Sequence, residues 1–236
     1  MDVSELKRQA AWRAVEFVDS GMVIGLGHGS TAAFAVDRIA ELLRTGELTS
    51  ISCVPCSEDV ARHAGGLDIP LTTLDERPSI DVTIDGADEV DAEMNLIKGG
   101  GGALLREKIV ANASLREIIV VDGSKLSLYL GTRFPLPVEV APFGWTIEAA
   151  RLEALGAHVL RRGGDDPFLT DQRNFILDCD FGPIERPSEL AKQLDARPGV
   201  VAHGLFVGLA TDLIAATQRG VRYFAAGSNL SELIAP

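Results

Sequence analysis

Short apolar runs alternate with helix-periodic stretches, glycine turns fall where the runs end, and the rhythm changes near Phe134. These observations predict an α/β protein with a doubly wound, mostly parallel Rossmann-like sheet and an inserted ferredoxin-like (βαββαβ) small domain. Residues 4–19 place Leu6, Ala10, Ala11, Ala14, Val15 and Val18 at helical spacing, with Ser4 as a cap. Met22 to Leu26 is a short apolar run of the buried-strand type, and Thr31 to Leu43 returns to helical periodicity. Ser50 to Val54 reads as a strand and Glu58 to Ala64 as a short helix. Ile80, Val82 and Ile84 alternate with Asp81, Thr83 and Asp85, the period of a strand. Ala103 to Ala113 then reads as a helix and Glu117 to Val121 as a strand.

After Phe134-Pro135-Leu136-Pro137 the pattern gives a strand at Val138–Val140 and a helix at Thr146–Leu155. Strands at His158–Arg161 and Asn174–Asp178, a helix at Ser188–Leu194 and a strand at Val200–Leu205 complete a split βαβ order. The chain then returns to the main sheet over Phe206–Ala215. The expected division is residues 1–132 and 206–236 for the Rossmann-like domain and 133–205 for the small one. The stretch Tyr223–Pro236 carries no motif and is expected to be a frayed end or a subunit contact.

The chain has 236 residues, 46% of them hydrophobic, enough for a substantial core. Its formal charge of -12 disfavours non-specific binding to nucleic acid or acidic membranes, so an anionic ligand needs a local cationic pocket. Three cysteines are too few for a disulfide scaffold. Cys53-Val54-Pro55-Cys56 has the spacing of a redox or zinc pair, but no second pair follows and Cys53 lies in an apolar run. No basic segment precedes an apolar one at the start, and no apolar run approaches about 18 residues, so a cytoplasmic protein is expected.

Three segments carry chemistry. Gly27-His28-Gly29-Ser30-Thr31 leads from a strand into a helix. Glycine admits close backbone approach, and the free N–H groups of a helix start favour an anion. His28, Gly29, Ser30 and Thr31 are therefore candidate phosphate-binding positions. A dinucleotide site would want an acid at the end of the second strand, and a nucleotide P-loop a lysine where Gly29 stands. The turn is also compatible with a plain strand-to-helix connection in which Ser30 or Thr31 caps the helix.

Asp85-Gly86-Ala87-Asp88 ends an apolar strand with two carboxylates, which suits proton transfer. With Glu89 and Asp91 the same turn offers a cation site, and it also reads as a solvated acidic turn capping a helix. Lys98 precedes four consecutive glycines, whose N–H groups can form a nest for an oxyanion. Gly86, Ala87, Gly99, Gly100 and Gly101 are candidate substrate-binding positions. Glu107 lies about one turn into the next helix, whose core side is marked by Ala103, Leu104, Ile109 and Val110. It is a candidate general base, with Lys98 stabilising negative charge, or else a surface glutamate placed by the helix dipole.

These segments, with Val121-Asp122-Gly123-Ser124-Lys125, Phe134-Pro135-Leu136-Pro137-Val138-Glu139-Val140 and Pro198-Gly199-Val200-Val201, resemble the ribose-5-phosphate isomerase A family over about residues 4–222. The resemblance implies interconversion of D-ribose 5-phosphate and D-ribulose 5-phosphate through an enediol, without metal or cofactor, in the non-oxidative pentose phosphate pathway. It implies Glu107 as the general base, Asp85 in ring opening, Asp88 holding sugar hydroxyls and Lys98 stabilising the enediolate oxygen. Ser30 and Thr31 would hold the phosphate, helped by Lys7, and Lys125 would touch the substrate. It also implies a homodimer, with pairing into a tetramer as the further arrangement. The family usually has threonine where His28 stands, which bears on phosphate binding. Two other readings stay open, an amino-sugar-phosphate isomerase or deaminase and a non-catalytic sugar-phosphate sensor. Sensors of that kind usually carry a basic helix-turn-helix, and this chain has no basic segment.

Overall fold

The computed structural model describes residues 2–228 together with 230 and 234. The chain is α/β, with a mostly parallel central sheet and two antiparallel sheets, and it divides into two compact units. The first unit comprises Met1–Gly86, Arg106–Ser124 and Leu209–Ser228, and the second Ala87–Leu105, Lys125–Gly208 and Asn229–Pro236.

In the first unit α1 (Val3–Val15) buries Leu6, Ala10, Ala11, Ala14 and Val15, the face expected of a 3.6-residue repeat. Its N-cap is Asp2, without a side-chain capping bond, so the cap expected at Ser4 is not formed. β1 (Val23–Leu26) enters α2 (Ser30–Thr45), which stops at Gly46 in the left-handed region with its N–H on Leu43 O. β2 (Ser52–Pro55) leads to α3 (Glu58–Gly66), capped by the Ser57 side chain accepting from Val60 N. β3 (Val82–Asp85) alternates apolar and polar residues as expected, yet all four of its residues are buried.

β4 (Glu89–Val90) and β5 (Leu96–Ile97) belong to the second unit. α4 (Leu104–Asn112) then leads to β6 (Glu117–Asp122), buried along its whole length. The central sheet has the order β13-β12-β6-β3-β1-β2, in which β12 spans Asp212–Thr217 and β13 Gly220–Ala225. Every pairing in it is parallel except the closing β12–β13 hairpin. β13 takes up Tyr223, so the stretch expected to be a tail begins inside a strand; residues 229, 231–233, 235 and 236 lie outside the described ones.

The strand order places β2 on one side of β1 and β3 on the other. That reversal is the switch point beside whose carboxyl ends ligands bind in open α/β sheets. Close packing beneath it demands glycine: a Cβ on Gly25 would lie 1.8 Å from Thr83 Oγ1 and 2.9 Å from Val110 Cγ1 of α4.

In the second unit β7 (Leu136–Val140), α5 (Trp145–Ala154), β8 (His158–Arg161), β9 (Phe175–Asp180), α6 (Pro187–Asp195) and β10 (Val200–His203) follow the βαββαβ order. Their antiparallel sheet runs β10-β7-β9-β8, the strand arrangement of a ferredoxin-like unit. Leu205, expected at the end of β10, and Phe206, expected to begin the return to the main sheet, instead form β11 (Leu205–Phe206), which joins β5 and β4 in a three-stranded sheet. This pairing groups residues 87–105 and 125–132 with the second unit, whereas the sequence placed them with the Rossmann-like segment. Buried Glu89 strengthens the grouping by accepting from Gly131 N at 2.8 Å and Arg133 N at 3.0 Å. Glu89 is thereby committed to backbone donors. Asp91 is likewise committed, accepting from Glu93 N, Asn95 N and Asn95 Nδ2.

Candidate active site

In the first unit three strand ends meet at the switch point. The Cys56 N–H bonds to Leu26 O and the Gly27 N–H to Ile84 O, both at 3.0 Å, so β1 ends between Cys56 and Asp85. Gly27 cannot carry a side chain, because its Cβ would lie 2.3 Å from Asp85 Oδ1. The Asp85 carboxylate is oriented by two backbone donors on Oδ1, His28 N at 3.0 Å and Gly86 N at 2.7 Å. It is 1% exposed, and a strand rather than a helix follows the turn, so it is not a solvated helix-capping acid.

Glu107 is 4% exposed, which removes the surface-glutamate reading. Ala103, Leu104, Glu107, Val110 and Ala111 are all buried and form one helical stripe at i, i+3 and i+4 spacing. Ile109, expected on the core side, is 49% exposed. A carboxylate oxygen of Asp85, one of Glu107 and Sγ of Cys56 all lie within 4.8 Å of one another. Cys56 had been read only as half of a spaced pair with Cys53. Neither is in a disulfide and both are buried, and burial alone pushes the Cys53 thiol up to about 12, the behaviour of a core cysteine.

Gly29, at φ 106°, is the N-cap of α2, without a side-chain capping bond, so neither Ser30 nor Thr31 caps the helix as expected. The open N–H groups at the start of α2 stay available to an anion. Ser30 is exposed, and its Oγ accepts from Lys7 Nζ at 2.9 Å, which brings a cation to the helix start. Thr31 is buried. His28 Nδ1 lies 2.9 Å from Ser57 Oγ, which already accepts the Val60 N–H. The Ser57 hydroxyl proton is thus available to Nδ1, an arrangement that favours the Nε2–H tautomer.

In the second unit Asp88 Oδ2 accepts from Gly100 N at 2.7 Å, and the Asp88 N–H bonds to Ile97 O. A Cβ on Gly100 would lie 2.6 Å from Asp88 Oδ1, so glycine there is a requirement of approach. Gly99 and Gly102 have positive φ and close a turn through Gly102 N to Gly99 O. Arg162 fixes that turn from outside by donating Nη1 to Gly99 O and Gly100 O, while its other face pairs with Asp178 at 2.5 Å. Gly101 is exposed at its tip. Lys98 is 2% exposed; its N–H bonds to Gly204 O and its Nζ stands 5.5 Å from the Phe206 ring centroid. Ala87 is half-buried in the turn before Asp88, and half-buried Lys125 closes the short 3₁₀ turn Gly123–Lys125.

Sequence reasoning missed Cys56, Ser57, Arg162 and Phe206 as parts of these surroundings. The capping pattern Ser57-x-x-Val60 was the legible signal for Ser57. Nothing local to Arg162 or Phe206 marks them, since both act on residues far away in sequence.

The fold and these side chains define a class: an α/β isomerase with buried carboxylates at the carboxyl ends of parallel strands, beside a glycine-opened helix. The family model of ribose 5-phosphate isomerase A (phosphoriboisomerase A) matches residues 52–220. Ribose-5-phosphate isomerase A of Chloroflexus aurantiacus is 59% identical over 219 residues, covering 92% of each chain. Its counterpart from a Synechococcus strain is 54% identical over 220 residues, covering 92% of this chain and 95% of the relative. A D-ribose-5-phosphate isomerase solved in complex with phospho-erythronic acid superposes with a TM-score of 0.93 at 40% identity, covering 95% of this chain and all of that one. The Plasmodium falciparum enzyme gives 0.92 at 39% identity, with the same coverage. The chain belongs to the ribose 5-phosphate isomerase A family.

Proposed function

We propose that the chain interconverts D-ribose 5-phosphate and D-ribulose 5-phosphate by proton transfer through an enediolate, without a metal. The observation that carries this reading is the buried pairing of Glu107 with Asp85 at the carboxyl end of β3. Phosphate is held by the N–H groups that open α2, by Ser30 and by Lys7, with His28 Nε2–H as a further donor and Thr31 contributing its backbone. Asp85, oriented through Oδ1, takes the C1 hydroxyl proton and passes a proton to the ring oxygen as the sugar ring opens, and Asp88 accepts sugar hydroxyls. Glu107 then removes the proton from C2 of the open aldehyde and returns it to C1, while the C2 hydroxyl proton passes to the C1 oxygen. Its burial excludes water that would compete for the enediolate. Lys98 supplies the positive charge that balances the developing oxyanion, with Gly99, Gly100 and Gly101 offering N–H donors. Gly86 and Ala87 line the substrate, and Lys125 contacts it.

General base catalysis of this kind contributes typically about 10²–10⁴-fold, and a charge aimed at a forming oxyanion a further factor of about 10²–10³. Assembly as a homodimer, with pairing into a tetramer as the further arrangement, belongs to the same proposal. So do cytoplasmic residence and a place in the non-oxidative pentose phosphate pathway. Among the described residues no helix is long and apolar enough to cross a membrane.

The test is NMR of the isolated protein in D₂O with ribose 5-phosphate and, separately, with an amino-sugar phosphate. The proposal expects ribulose 5-phosphate to form, and no reaction of the amino sugar. Turnover of the amino sugar alone would favour the deaminase reading, and tight ribose 5-phosphate binding without turnover a sensor.

A further inference from the structure

We propose that Cys56, Asp85 and Glu107 form a binding site for one thiophilic divalent cation of the zinc or cadmium type, and that filling it inhibits the enzyme. The three side chains come from different places in the chain: the end of β2, the end of β3 and the first turn of α4. All three are buried, and their donor atoms lie within 4.8 Å of one another. Tetrahedral zinc has metal–sulfur and metal–oxygen distances of about 2.3 and 2.1 Å, which separates its donors by roughly 3.5 Å. Donors that lie within 4.8 Å of one another therefore need to approach by about an ångström to reach that geometry.

The site is also supported from behind. Two backbone N–H groups orient Asp85 through Oδ1, the kind of outer bonding that fixes a ligating carboxylate. The Cys56 backbone is tied to Leu26 O. One sulfur with two carboxylates selects zinc or cadmium over magnesium or calcium, which want about six oxygen donors. Three protein donors leave a fourth position for water or a sugar oxygen.

On coordination the Cys56 thiol gives its proton to solvent and the carboxylates bind ionised. Glu107, holding the cation, no longer accepts the substrate proton. The inhibition, unlike the binding, rests on Glu107 being the base. Among the described residues neither Cys53 nor Cys179 belongs to a cluster of three such donors.

Cadmium titration of the metal-free protein, read through the cadmium–thiolate charge-transfer absorbance, tests binding without reference to activity. The proposal expects one equivalent to bind, the band to survive Cys53→Ala, and the band to vanish in both Cys56→Ser and Cys56→Ala. Zinc inhibition of ribose 5-phosphate turnover should be reversed by chelator and should need at least tenfold more zinc in either Cys56 variant, each compared with its own activity in chelator. No band in the wild type, or a band that persists without Cys56, overturns the site. Binding at Cys56 that leaves a chelator-insensitive activity untouched overturns the inhibition. Absence of turnover in chelator would instead count against the metal-free reading of the reaction.

Discussion

Glu107 shows how one side chain changes meaning with its surroundings. As an isolated letter in a helix it is an ordinary surface residue, but its stripe of Ala103, Leu104, Val110 and Ala111 carries it into the protein beside Asp85. The stripe was present in the sequence and was obscured by assigning Ile109 to the core. His28 is the second informative residue. Its Nδ1 is met by Ser57 Oγ at 2.9 Å, which leaves Nε2–H for the phosphate in the proposed function. A contact of this kind binds substrate and transition state alike, so His28→Ala should raise KM about three- to tenfold with kcat nearly unchanged. Steady-state kinetics with ribose 5-phosphate checks this, and a fall in kcat at constant KM would place His28 in the chemistry instead.

At the scale of elements the site depends on turns that tolerate no side chain. Gly27→Ala would drive a methyl group into the Asp85 carboxylate, and Gly100→Ala into that of Asp88. Overpacking of this sort costs about 1–3 kcal/mol, so both variants should lower the thermal midpoint. Gly27→Ala should also cut kcat by about 10²-fold, because a displacement of about an ångström at a reacting group is enough to do so. Circular-dichroism melts with parallel assays would show it. A Gly27→Ala enzyme with wild-type kcat would mean that Asp85 is not held in place by this contact. The strand–helix alternation, the glycine turn after β1 and the βαββαβ order were all legible, because each is written in local periodicity. β4, β5 and β11 were not, since two-residue strands carry no period and exist only through the pairing of Leu96 and Ile97 with Glu89 and Val90 on one side and with Leu205 and Phe206 on the other. The α2 cap was also misread: two hydroxyl residues follow Gly29, yet Gly29 itself takes the N-cap position.

At the scale of the molecule, the closing edge of the central sheet is clasped by a charged group that joins three strands. Arg116, at the entry to β6, donates to both oxygens of Asp212 on β12, and Tyr223 of β13 donates to Asp212 Oδ1 at 2.5 Å. Burial opposes the ionised Asp212, but the bonds from Arg116, then Tyr223 and Thr211, hold its carboxyl below the usual value. That contribution is therefore complete above the unfolded pKa of Asp212 and lost as pH falls through the lower folded value. The Tyr223 phenol is raised, first by its bond to Asp212 and then by burial, so its share holds below its ordinary pKa and fades as pH rises through the folded one. Asp212→Asn should cost about 1–3 kcal/mol at neutral pH, with the gap to wild type closing on acidification. Urea melts across that range check it, and a gap independent of pH would show that the carboxylate's charge is not what matters. The function of the whole rests on one claim, that Glu107 moves a proton on a pentose 5-phosphate without metal assistance. The most direct measurement is turnover of ribose 5-phosphate to ribulose 5-phosphate in the presence of a chelator, wild type against Glu107→Gln. The account predicts full wild-type activity and a loss of about 10²–10⁴-fold in kcat for the variant, with KM little changed. Activity abolished by the chelator, or a Glu107→Gln enzyme that turns over normally, would contradict it.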